Sequence, residues 1–229
     1  MPRLIKAKEV DSTNEWIKKH LRKLEDLDSI IAETQTAGKG RNAKDWFSPK
    51  GGFCFSFILK DFSEDSNSLS LFSAVIVCET MRMYDIPAQI KWPNDIILKG
   101  KKLGGILIEK IQDNFIVGIG LNLNLNISDF PIPLKDIVIT SREFLHKDLD
   151  FEPIAKEIIK GISKERKNLE KIYQKYEEFS GDLNRKVRIL KGEETFTGKV
   201  KEIQSDGGIK VANEIAEKVF YSGSLTYLD

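Results

Sequence analysis

Short apolar runs divided by a few breaker residues fill the middle of this 229-residue chain. Glycine, proline, asparagine and lysine clusters separate the runs, and each run is about as long as one strand. Such close spacing favours a largely antiparallel or mixed sheet with helices on one face, so the sequence predicts an α+β fold. The predicted strands cover residues 30–33, 52–59, about 90, 96–98, 105–110 and 115–124.

Helical periodicity is found in three places, where apolar residues recur at spacings of three and four. One helix is predicted directly after Ser12, a second over residues 68–84, and a long amphipathic helix over 152–179. The apolar stripe of the long helix should pack against the sheet. The predicted inward residues of the second and third helices are Leu69, Phe72, Val75, Ile76, Met83, Ile154, Ile158, Ile162, Leu169, Ile172, Tyr176 and Phe179.

Short alternating strands take over after residue 182, which predicts a second domain. The runs at 186–190, 195–203, 208–211 and 218–221 are typical of a small β-barrel. We therefore divide the chain into a larger domain over residues 1–182 and a small barrel over residues 183–229.

Charge and composition exclude several classes of function. The 36 basic and 35 acidic residues offer no case for non-specific DNA binding, and no apolar run approaches the length of a membrane span. Cys54 and Cys78 lie in apolar runs and should be reduced core residues. The two histidines have no zinc-site spacing, so no protein-ligated metal is predicted. We expect a cytoplasmic protein that binds neither DNA nor membranes.

A basic glycine-rich loop spans residues 35–46, Gln-Thr-Ala-Gly-Lys-Gly-Arg-Asn-Ala-Lys-Asp-Trp. Gly38 and Gly40 let backbone N–H groups approach an anion closely, and the forked guanidinium of Arg41 can hold a phosphate at two points. Taken alone, such a loop is more often a solvated basic turn between two strands. It has neither P-loop spacing nor the helix that should follow a dinucleotide-binding fingerprint.

Two further segments carry polar groups that could bind a ligand together with this loop. Asp95 and Lys102 should lie near the two strand ends of one β-hairpin and face one cleft, although a surface ion pair would read the same way. Upstream, Ser12 and Glu15 have the spacing of a capping box. The polar groups at this helix start can also hydrogen-bond a neutral ligand head group.

These segments, in this order, resemble biotin protein ligase, which makes biotinyl-5′-adenylate and passes biotin to a lysine of a carrier domain. The resemblance covers nearly the whole chain. It rests on Ser12-Thr13-Asn14, on residues 35–46, on Lys91-Trp92-Pro93-Asn94-Asp95, on residues 102–109 and on Gly118-Ile119-Gly120-Leu121-Asn122. It implies the family's catalytic domain, related to class II synthetases, followed by an SH3-like C-terminal domain.

The chain departs from the family pattern in two respects. In the glycine loop, Lys39 and Asn42 replace arginines and Ala43 replaces a glycine, so forked hydrogen bonding is lost at position 39. Many bacterial members also begin with a DNA-binding region, whereas here the catalytic motifs start almost at once. The resemblance therefore implies a ligase without a repressor function.

The resemblance also implies roles for individual residues. Lys102, Arg41 and Asp95 would be catalytic: Lys102 beside the biotin carboxylate, Arg41 and Lys39 with Mg²⁺ neutralising the phosphates, and Asp95 either orienting Lys102 or deprotonating the incoming amine. The nucleotide would be held by Lys39, Arg41, Trp46 and Asn122. The biotin site would comprise Ser12, Thr13, Asn14, Gln35, Gly38, Lys39, Gly40, Lys102, Gly105, Leu107 and Gly118.

The partners implied are biotin, ATP and a biotin carboxyl carrier protein, and short members of the family are often homodimers. Two alternatives stay open at this point. A lipoate protein ligase shares the architecture and the adenylate chemistry but is disfavoured by the combination of motifs. A non-catalytic adaptor that binds through its C-terminal barrel would leave the dense central motifs unexplained.

Overall fold

The larger domain is built on a seven-stranded mixed sheet, seen in a computed structural model that describes residues 2–63 and 65–228. The strand order is β1-β2-β3-β7-β6-β5-β4, with β1 and β2 parallel and every other neighbouring pair antiparallel. The strands are β1 Leu4–Val10, β2 Ser29–Gln35, β3 Phe53–Leu59, β4 Gln89–Lys91, β5 Asp95–Leu98, β6 Lys101–Ile111 and β7 Asn114–Leu121. The mixed sheet predicted from the sequence is confirmed.

The side chains of β3 point alternately to the two faces of the sheet, and each face has its own apolar cluster. Phe53, Phe55 and Phe57 point into the main apolar core, which lies between the sheet and three helices. The residues between them face the other side, where Ile58 joins a smaller apolar cluster and Ser56 is fully buried. A polar side chain buried in the centre of a sheet needs hydrogen-bond partners, and Ser56 finds them in the functional site.

Helices cover both faces of this sheet. Helices α2 (Ser66–Arg82), α5 (Phe151–Glu165) and α6 (Leu169–Phe179) form the layer over the main core. Helix α1 (Thr13–His20) packs on the opposite face, where Ile17 meets Ile30 and Ile58. The layer of helices expected on one face is thus present, and α1 is an addition to it.

The single helix predicted over residues 152–179 is wrong, because the chain leaves the helical conformation between α5 and α6. Asn168 has φ −132° and ψ 59°, and its N–H donates to the carbonyl of Glu165 at 2.8 Å. The separating residues, Arg166, Lys167 and Asn168, add nothing apolar to the buried stripe, and asparagine is a weak helix former. Arg166 instead pairs with Asp26 at 2.6 Å.

The predicted inward stripes are otherwise confirmed, with one exception at the end of α2. The other predicted inward residues of α2, α5 and α6 are buried or packed against the core, whereas Met83 is 64% exposed. Helix α2 ends at Arg82, and Met83 is its C-cap residue. The chain turns there, so that Ile86 rather than Met83 fills the core position.

A loop segment with two short helices, α3 (Ile132–Lys135) and α4 (Ser141–Leu145), connects β7 to α5. It encloses its own apolar cluster of Leu125, Phe130 and Val138, against which Phe47 packs from behind the glycine loop. The rings of Phe47 and Phe130 lie 5.4 Å apart. This cluster forms one wall of the cavity described below.

The C-terminal residues form a five-stranded antiparallel sheet with its own apolar core. Its strands are β8 Lys186–Lys191, β9 Glu194–Ile203, β10 Ile209–Ala212, β11 Glu217–Phe220 and β12 Ser224–Tyr227, in the order β11-β10-β9-β8-β12. This second sheet is consistent with the SH3-like domain implied by the resemblance. The exact boundary between residues 182 and 183 stays a prediction.

Both cysteines are buried and free, as predicted for core residues. Burial raises the pKa of the Cys54 thiol to about 11 and that of Cys78 still further. Within residues 2–63 and 65–228, the helices are all too short or too polar to cross a bilayer.

Candidate active site

The predicted site residues converge on one cavity of about 410 Å³, a size typical of small-molecule sites. Its walls come from the start of α1, the glycine loop, the β5–β6 hairpin, β7 and residues 223–225 of the second sheet. The cavity is lined by fourteen of the fifteen predicted site residues: Ser12, Thr13, Asn14, Gln35, Lys39, Gly40, Arg41, Trp46, Asp95, Lys102, Gly105, Leu107, Gly118 and Asn122.

The exception is Gly38, which lies behind the wall. A Cβ atom there would come within 2.6 Å of the carbonyl oxygen of Trp46 and 2.7 Å of the Ser48 hydroxyl. The Gly38 carbonyl accepts a hydrogen bond from the Trp46 N–H at 2.9 Å. The missing side chain at Gly38 thus allows a close backbone approach that folds the loop, and its predicted ligand contact stays a prediction.

One end of the cavity carries a cluster of neutral hydrogen-bonding groups. Gln35 is fixed by its neighbours: its Oε1 accepts from the N–H of Thr13 at 2.8 Å, and its Nε2 donates to the Ser48 hydroxyl at 2.8 Å. Ser48 in turn donates to the carbonyl of Trp46 at 3.1 Å. Polar side chains held this way present fixed donors and acceptors rather than mobile ones.

Asn14 is held from two sides within the same cluster. Its Nδ2 donates to Glu109 at 2.7 Å, and its Oδ1 accepts from the Ser56 hydroxyl at 2.6 Å. Glu109 also pairs with Lys18 at 2.7 Å. Because an ionised carboxylate only accepts hydrogen bonds, Glu109 fixes which way the Asn14 amide faces.

Counting hydrogens shows that the cluster has spare acceptor capacity. The Ser56 hydroxyl lies 2.6 Å from both Asn14 Oδ1 and Thr13 Oγ1, and Thr13 Oγ1 lies 3.0 Å from Gln35 Oε1. These three contacts share only two hydroxyl hydrogens. One contact is therefore left without a bridging hydrogen, so the cluster suits a ligand that brings N–H donors of its own.

The capping box predicted from Ser12 and Glu15 is wrong. Ser12 occupies the N-cap position of α1, yet its side chain makes no capping hydrogen bond. Glu15 instead accepts from Lys18 at 2.8 Å and from Lys39 at 3.0 Å. Ser12 is buried and lines the cavity, and its other predicted role, contact with a ligand, stays a prediction.

Charged groups occupy the hairpin side of the cavity. Lys102 Nζ and Asp95 Oδ1 lie 2.6 Å apart across the β5–β6 pair, so the prediction that both face one cleft is confirmed. The register shifts by one residue between Ile96 and Ile97, so that Asp95 pairs with Gly105 and Ile97 pairs with Lys102. The Lys102 ammonium also lies 5.5 Å from the centre of the Trp46 ring.

The backbone of Lys102 is fixed from the opposite side by the segment that follows β7. Its N–H donates to the carbonyl of Ile137 at 2.8 Å, and its carbonyl accepts from the N–H of Ile139 at 3.0 Å. Asn122 Nδ2 adds contacts to the carbonyls of Lys102 and Ile139 at 3.2 and 3.4 Å. With its amide nitrogen used in this way, Asn122 has only its oxygen left for the predicted nucleotide contact.

Arg41 is half-buried and has a neutral partner. Its Nη1 donates to Asn94 Oδ1 at 3.1 Å, and Asn94 is held in place because its Nδ2 donates to the carbonyl of Ile106 at 2.7 Å. Burial lowers the pKa of Arg41, and the nearby Asp95 carboxylate opposes that shift. A half-desolvated guanidinium that meets an amide keeps its full charge for an anionic ligand.

Lys39 is directed differently from the phosphate-binding role predicted for it. Its ammonium forms an ion pair with Glu15 at 3.0 Å, and hydrogen bonds from Lys18 and Lys39 lower the pKa of Glu15. Beyond it, Asn42 and Ala43 both have positive φ, 56° and 55°. Alanine in this conformation costs about 1 kcal/mol relative to glycine, which is the energetic consequence of the Ala43 replacement.

Trp46 packs on β7 near the end of the strand, at Gly120. A Cβ atom on Gly120 would lie 2.6 Å from the indole ring, so the missing side chain makes room for it. Gly120 lies between Gly118 and Asn122, so the ring borders both the predicted biotin wall and the predicted nucleotide contact.

Sequence reasoning assigned no role to five residues that build this site: Ser48, Ser56, Asn94, Glu109 and Gly120. Ser56 carried a usable signal, since it is the one hydroxyl in the apolar run Phe53–Leu59. Asn94 and Glu109 stood within segments already singled out. Gly120 also stood within such a segment, but its role, like that of Ser48, depends on the close approach of another part of the chain.

The fold is an α+β domain whose cavity combines a cluster of neutral hydrogen-bonding groups with the cations Arg41 and Lys102. Comparison with known proteins specifies the family, because residues 7–126 match the model of the biotin/lipoate A/B protein ligase family. The chain therefore belongs to that family.

The relatives found by sequence include proteins named biotin–protein ligase and bifunctional ligase/repressor BirA. The chain is 31% identical over 213 residues to the bifunctional ligase/repressor BirA of Bacillus spizizenii, an alignment that covers 86% of this chain and 65% of that protein. It is 25% identical to BirA of Escherichia coli over 95% of this chain and 71% of that protein. The chain thus spans about two thirds of the length of these relatives.

The solved structure of a biotin protein ligase from Aquifex aeolicus in complex with biotin and ATP matches over 99% of both chains. The TM-score is 0.89 and the sequence identity is 33%. The agreement extends over both sheets, since nearly every residue of this chain is covered.

Proposed function

We propose that this chain is an ATP-dependent biotin protein ligase, which forms biotinyl-5′-AMP and transfers the biotinyl group to a lysine of a biotin carboxyl carrier protein. The observation that carries the proposal is the division of one cavity into two chemistries. Neutral hydrogen-bonding groups at α1 and β2 lie at one end, and the cations Arg41 and Lys102 lie at the hairpin side.

Biotin fits the neutral end better than lipoate does. The ureido ring brings two N–H donors and a carbonyl, which suits a cluster with one hydrogen too few and with Asn14 and Thr13 already oriented. The dithiolane ring of lipoate, or an octanoyl chain, brings no N–H donor to the contact that lacks a hydrogen, and a buried acceptor left unsatisfied costs about 1–3 kcal/mol.

The first half-reaction joins two anions that repel each other, and the cations of the cavity would reduce this repulsion. The biotin carboxylate attacks the α-phosphate of ATP and pyrophosphate leaves, so negative charge concentrates where Arg41 and Lys102 can reach. We assign Arg41 to the phosphates and Lys102 to the carboxylate and the mixed anhydride. Charge-assisted hydrogen bonds in a partly closed cavity strengthen both interactions.

In the second half-reaction a carrier lysine attacks the anhydride carbonyl and AMP leaves. Lys102 would stabilise the oxyanion that develops there. The ion pair of 2.6 Å between Asp95 and Lys102 favours the orienting role for Asp95 over the role of base. Trp46 and the glycine loop would cover the adenylate against hydrolysis.

Mg²⁺ is part of this proposal as the usual companion of ATP. Magnesium in nucleotide sites is held by one or two carboxylates together with substrate phosphates. Asp45 and Asp95 are carboxylates on the cavity wall and fit that pattern. The ion would supply charge neutralisation on the phosphates. A cytoplasmic location and a homodimer remain further predictions.

Biotin-dependent exchange of labelled pyrophosphate into ATP tests the first half-reaction, with lipoate and octanoate run in parallel. Lys102→Ala should abolish exchange and carrier labelling while circular dichroism stays unchanged. Lys101→Ala is the matched control, since this lysine is the exposed neighbour on the same strand. Undiminished turnover by the Lys102 variant would refute the assignment, exchange with lipoate would favour the lipoate ligase, and none at all would favour the adaptor.

A further inference from the structure

Trp92 belongs to the catalytic segment in sequence but to the C-terminal sheet in space. It lies between β4 and β5, in the segment 91–95 that ends with Asp95. Its side chain is 1% exposed and is part of the apolar core of the second sheet, with Val187, Ile189 and Leu225. The larger domain therefore inserts its own tryptophan into the C-terminal domain.

Hydrogen bonds fix this insertion at both the side chain and the backbone. The indole Nε1–H donates to the carbonyl of Gly207 at 2.9 Å, and the backbone N–H of Trp92 donates to Asp182 at 2.6 Å. Asp182 is fully buried and also accepts from the Tyr227 hydroxyl at 2.7 Å. One carboxylate thus joins the end of the second sheet to the start of the catalytic segment.

Charged groups close the same junction. The Arg185 guanidinium lies 3.6 Å from the centre of the Tyr227 ring, and the Lys91 ammonium lies 4.8 Å from it. Nearby, the Gly181 N–H donates to the carbonyl of Ile90 at 2.8 Å. The residue before Trp92 and the residue before Asp182 are both held by this junction.

The clamped segment carries two groups of the candidate active site. Asn94, two residues after Trp92, holds Arg41, and Asp95 pairs with Lys102. By contrast, the neutral cluster that would bind the biotin head group lies on α1, β2, β3 and β6, outside the junction.

We propose that the C-terminal sheet acts as a clamp on the catalytic segment, with Trp92 and Asp182 as positioning residues that set Asp95 against Lys102 and Asn94 against Arg41. This inference rests on the proposed function for its kinetic test. The clamp acts on chemistry rather than on head-group recognition. Loosening it lowers kcat and leaves KM for biotin nearly unchanged.

Two conservative variants weaken the clamp by removing one hydrogen bond each, and both keep an aromatic ring in place. Trp92→Phe keeps an aromatic ring in the apolar core but removes the donor to Gly207, and Tyr227→Phe removes one donor to Asp182. Tyr221→Phe is the matched control, since its hydroxyl bonds Asp206 on the exposed side of the same sheet. Loss of one buried hydrogen bond corresponds to a fall in kcat of about tenfold.

The experiment measures pyrophosphate exchange, thermal midpoint and backbone deuterium uptake over residues 89–98 for the unsubstituted chain and the three variants. We expect kcat to fall about tenfold in Trp92→Phe and Tyr227→Phe, KM for biotin to stay within about twofold, and uptake over this segment to accelerate. Tyr221→Phe should match the unsubstituted chain in all of these.

The clamp would be overturned if both test variants kept the kcat and the deuterium uptake of the unsubstituted chain. It would also be overturned if KM for biotin rose by the same factor by which kcat fell. If the unsubstituted chain shows no exchange with biotin, the proposed function fails, and deuterium uptake still decides the clamp. Faster uptake confined to the two junction variants would then support it, and equal uptake in all four proteins would refute it.

Discussion

Gly118→Ala tests whether the orientation of Asn14 controls recognition of the biotin head group. Gly118 lies on β7 beneath Asn14, and an ideal Cβ atom there would come within 2.4 Å of Asn14 Oδ1. Ordinary contacts of this kind are at least 3.4 Å. The amide must therefore move by about 1 Å, which is incompatible with its two short hydrogen bonds.

The size of the effect follows from those two bonds. Asn14 donates to the Glu109 carboxylate at 2.7 Å and accepts from Ser56 at 2.6 Å. A bond to a charged group contributes about 1.5–3 kcal/mol and a neutral one about 1 kcal/mol, so the variant should lose about 2.5–4 kcal/mol of stability. If half of that free energy is also lost from the binding of biotin, KM for biotin rises about tenfold.

Thermal unfolding and the biotin dependence of pyrophosphate exchange measure the two effects. A double-mutant cycle supplies the decisive control: in an Asn14→Ala background, Gly118→Ala should cost almost nothing more, because the displaced amide is already absent. Additive losses would show that Gly118 acts through β7 itself. An unchanged KM for biotin in Gly118→Ala would refute the proposed role of Asn14.

Three further predictions concern charge and burial. Asn94→Asp should raise KM for ATP more than KM for biotin, because a carboxylate beside Arg41 neutralises the guanidinium that we assign to the phosphates; equal changes in exchange kinetics would contradict this. Burial raises the pKa of Asp182 to about 6, above its unfolded value, so the folded state binds this proton more tightly and its stability rises as pH falls from about 7.5 to 5.5. Asp182→Asn should lack this rise, and Tm at the two pH values checks the difference. Cys78 is fully buried with a raised thiol pKa, so the native chain should leave it unreacted with a thiol reagent that labels it in denaturant, as mass spectrometry would show.

Local patterns were sufficient to predict most strands of the larger domain and helix α2, which packs on its sheet. The apolar run in β3 and the turn of lysines and glycine between β5 and β6 are signals that neighbouring residues carry on their own. Strand β1 was not predicted, because its Leu4-Ile5-Lys6-Ala7-Lys8-Glu9-Val10 pattern is only half apolar and its pairing is a parallel contact with distant β2. The break between α5 and α6 was missed since the apolar spacing continues across it.

Within the site, residue positions were predictable and partners were not. The motifs bring Lys102, Asp95 and Arg41 to one cavity, as expected. The pairing of Lys39 with Glu15 depends on how the glycine loop lies over α1, which no local pattern specifies. The same holds for Ser56, because its hydroxyl takes part in the site only through its hydrogen-bond contacts with Thr13 and Asn14 on α1.

The distribution of partners among the three cations explains how they can divide the chemistry. Lys39 is neutralised by Glu15 on the α1 side, and Lys102 is neutralised by Asp95 on the hairpin. Arg41, among the residues that the structure describes, meets only the neutral Asn94 as a hydrogen-bond partner. Of these three cations, Arg41 is therefore the one without a carboxylate as a direct hydrogen-bond partner, and an incoming triphosphate gains most from it. In the proposed mechanism, the ion pair with Asp95 would hold Lys102 in place for the carboxylate, and Lys102 would become available as negative charge develops on the anhydride. The same arrangement explains why the clamp on the segment 91–95 matters, since both Asn94 and Asp95 lie within it.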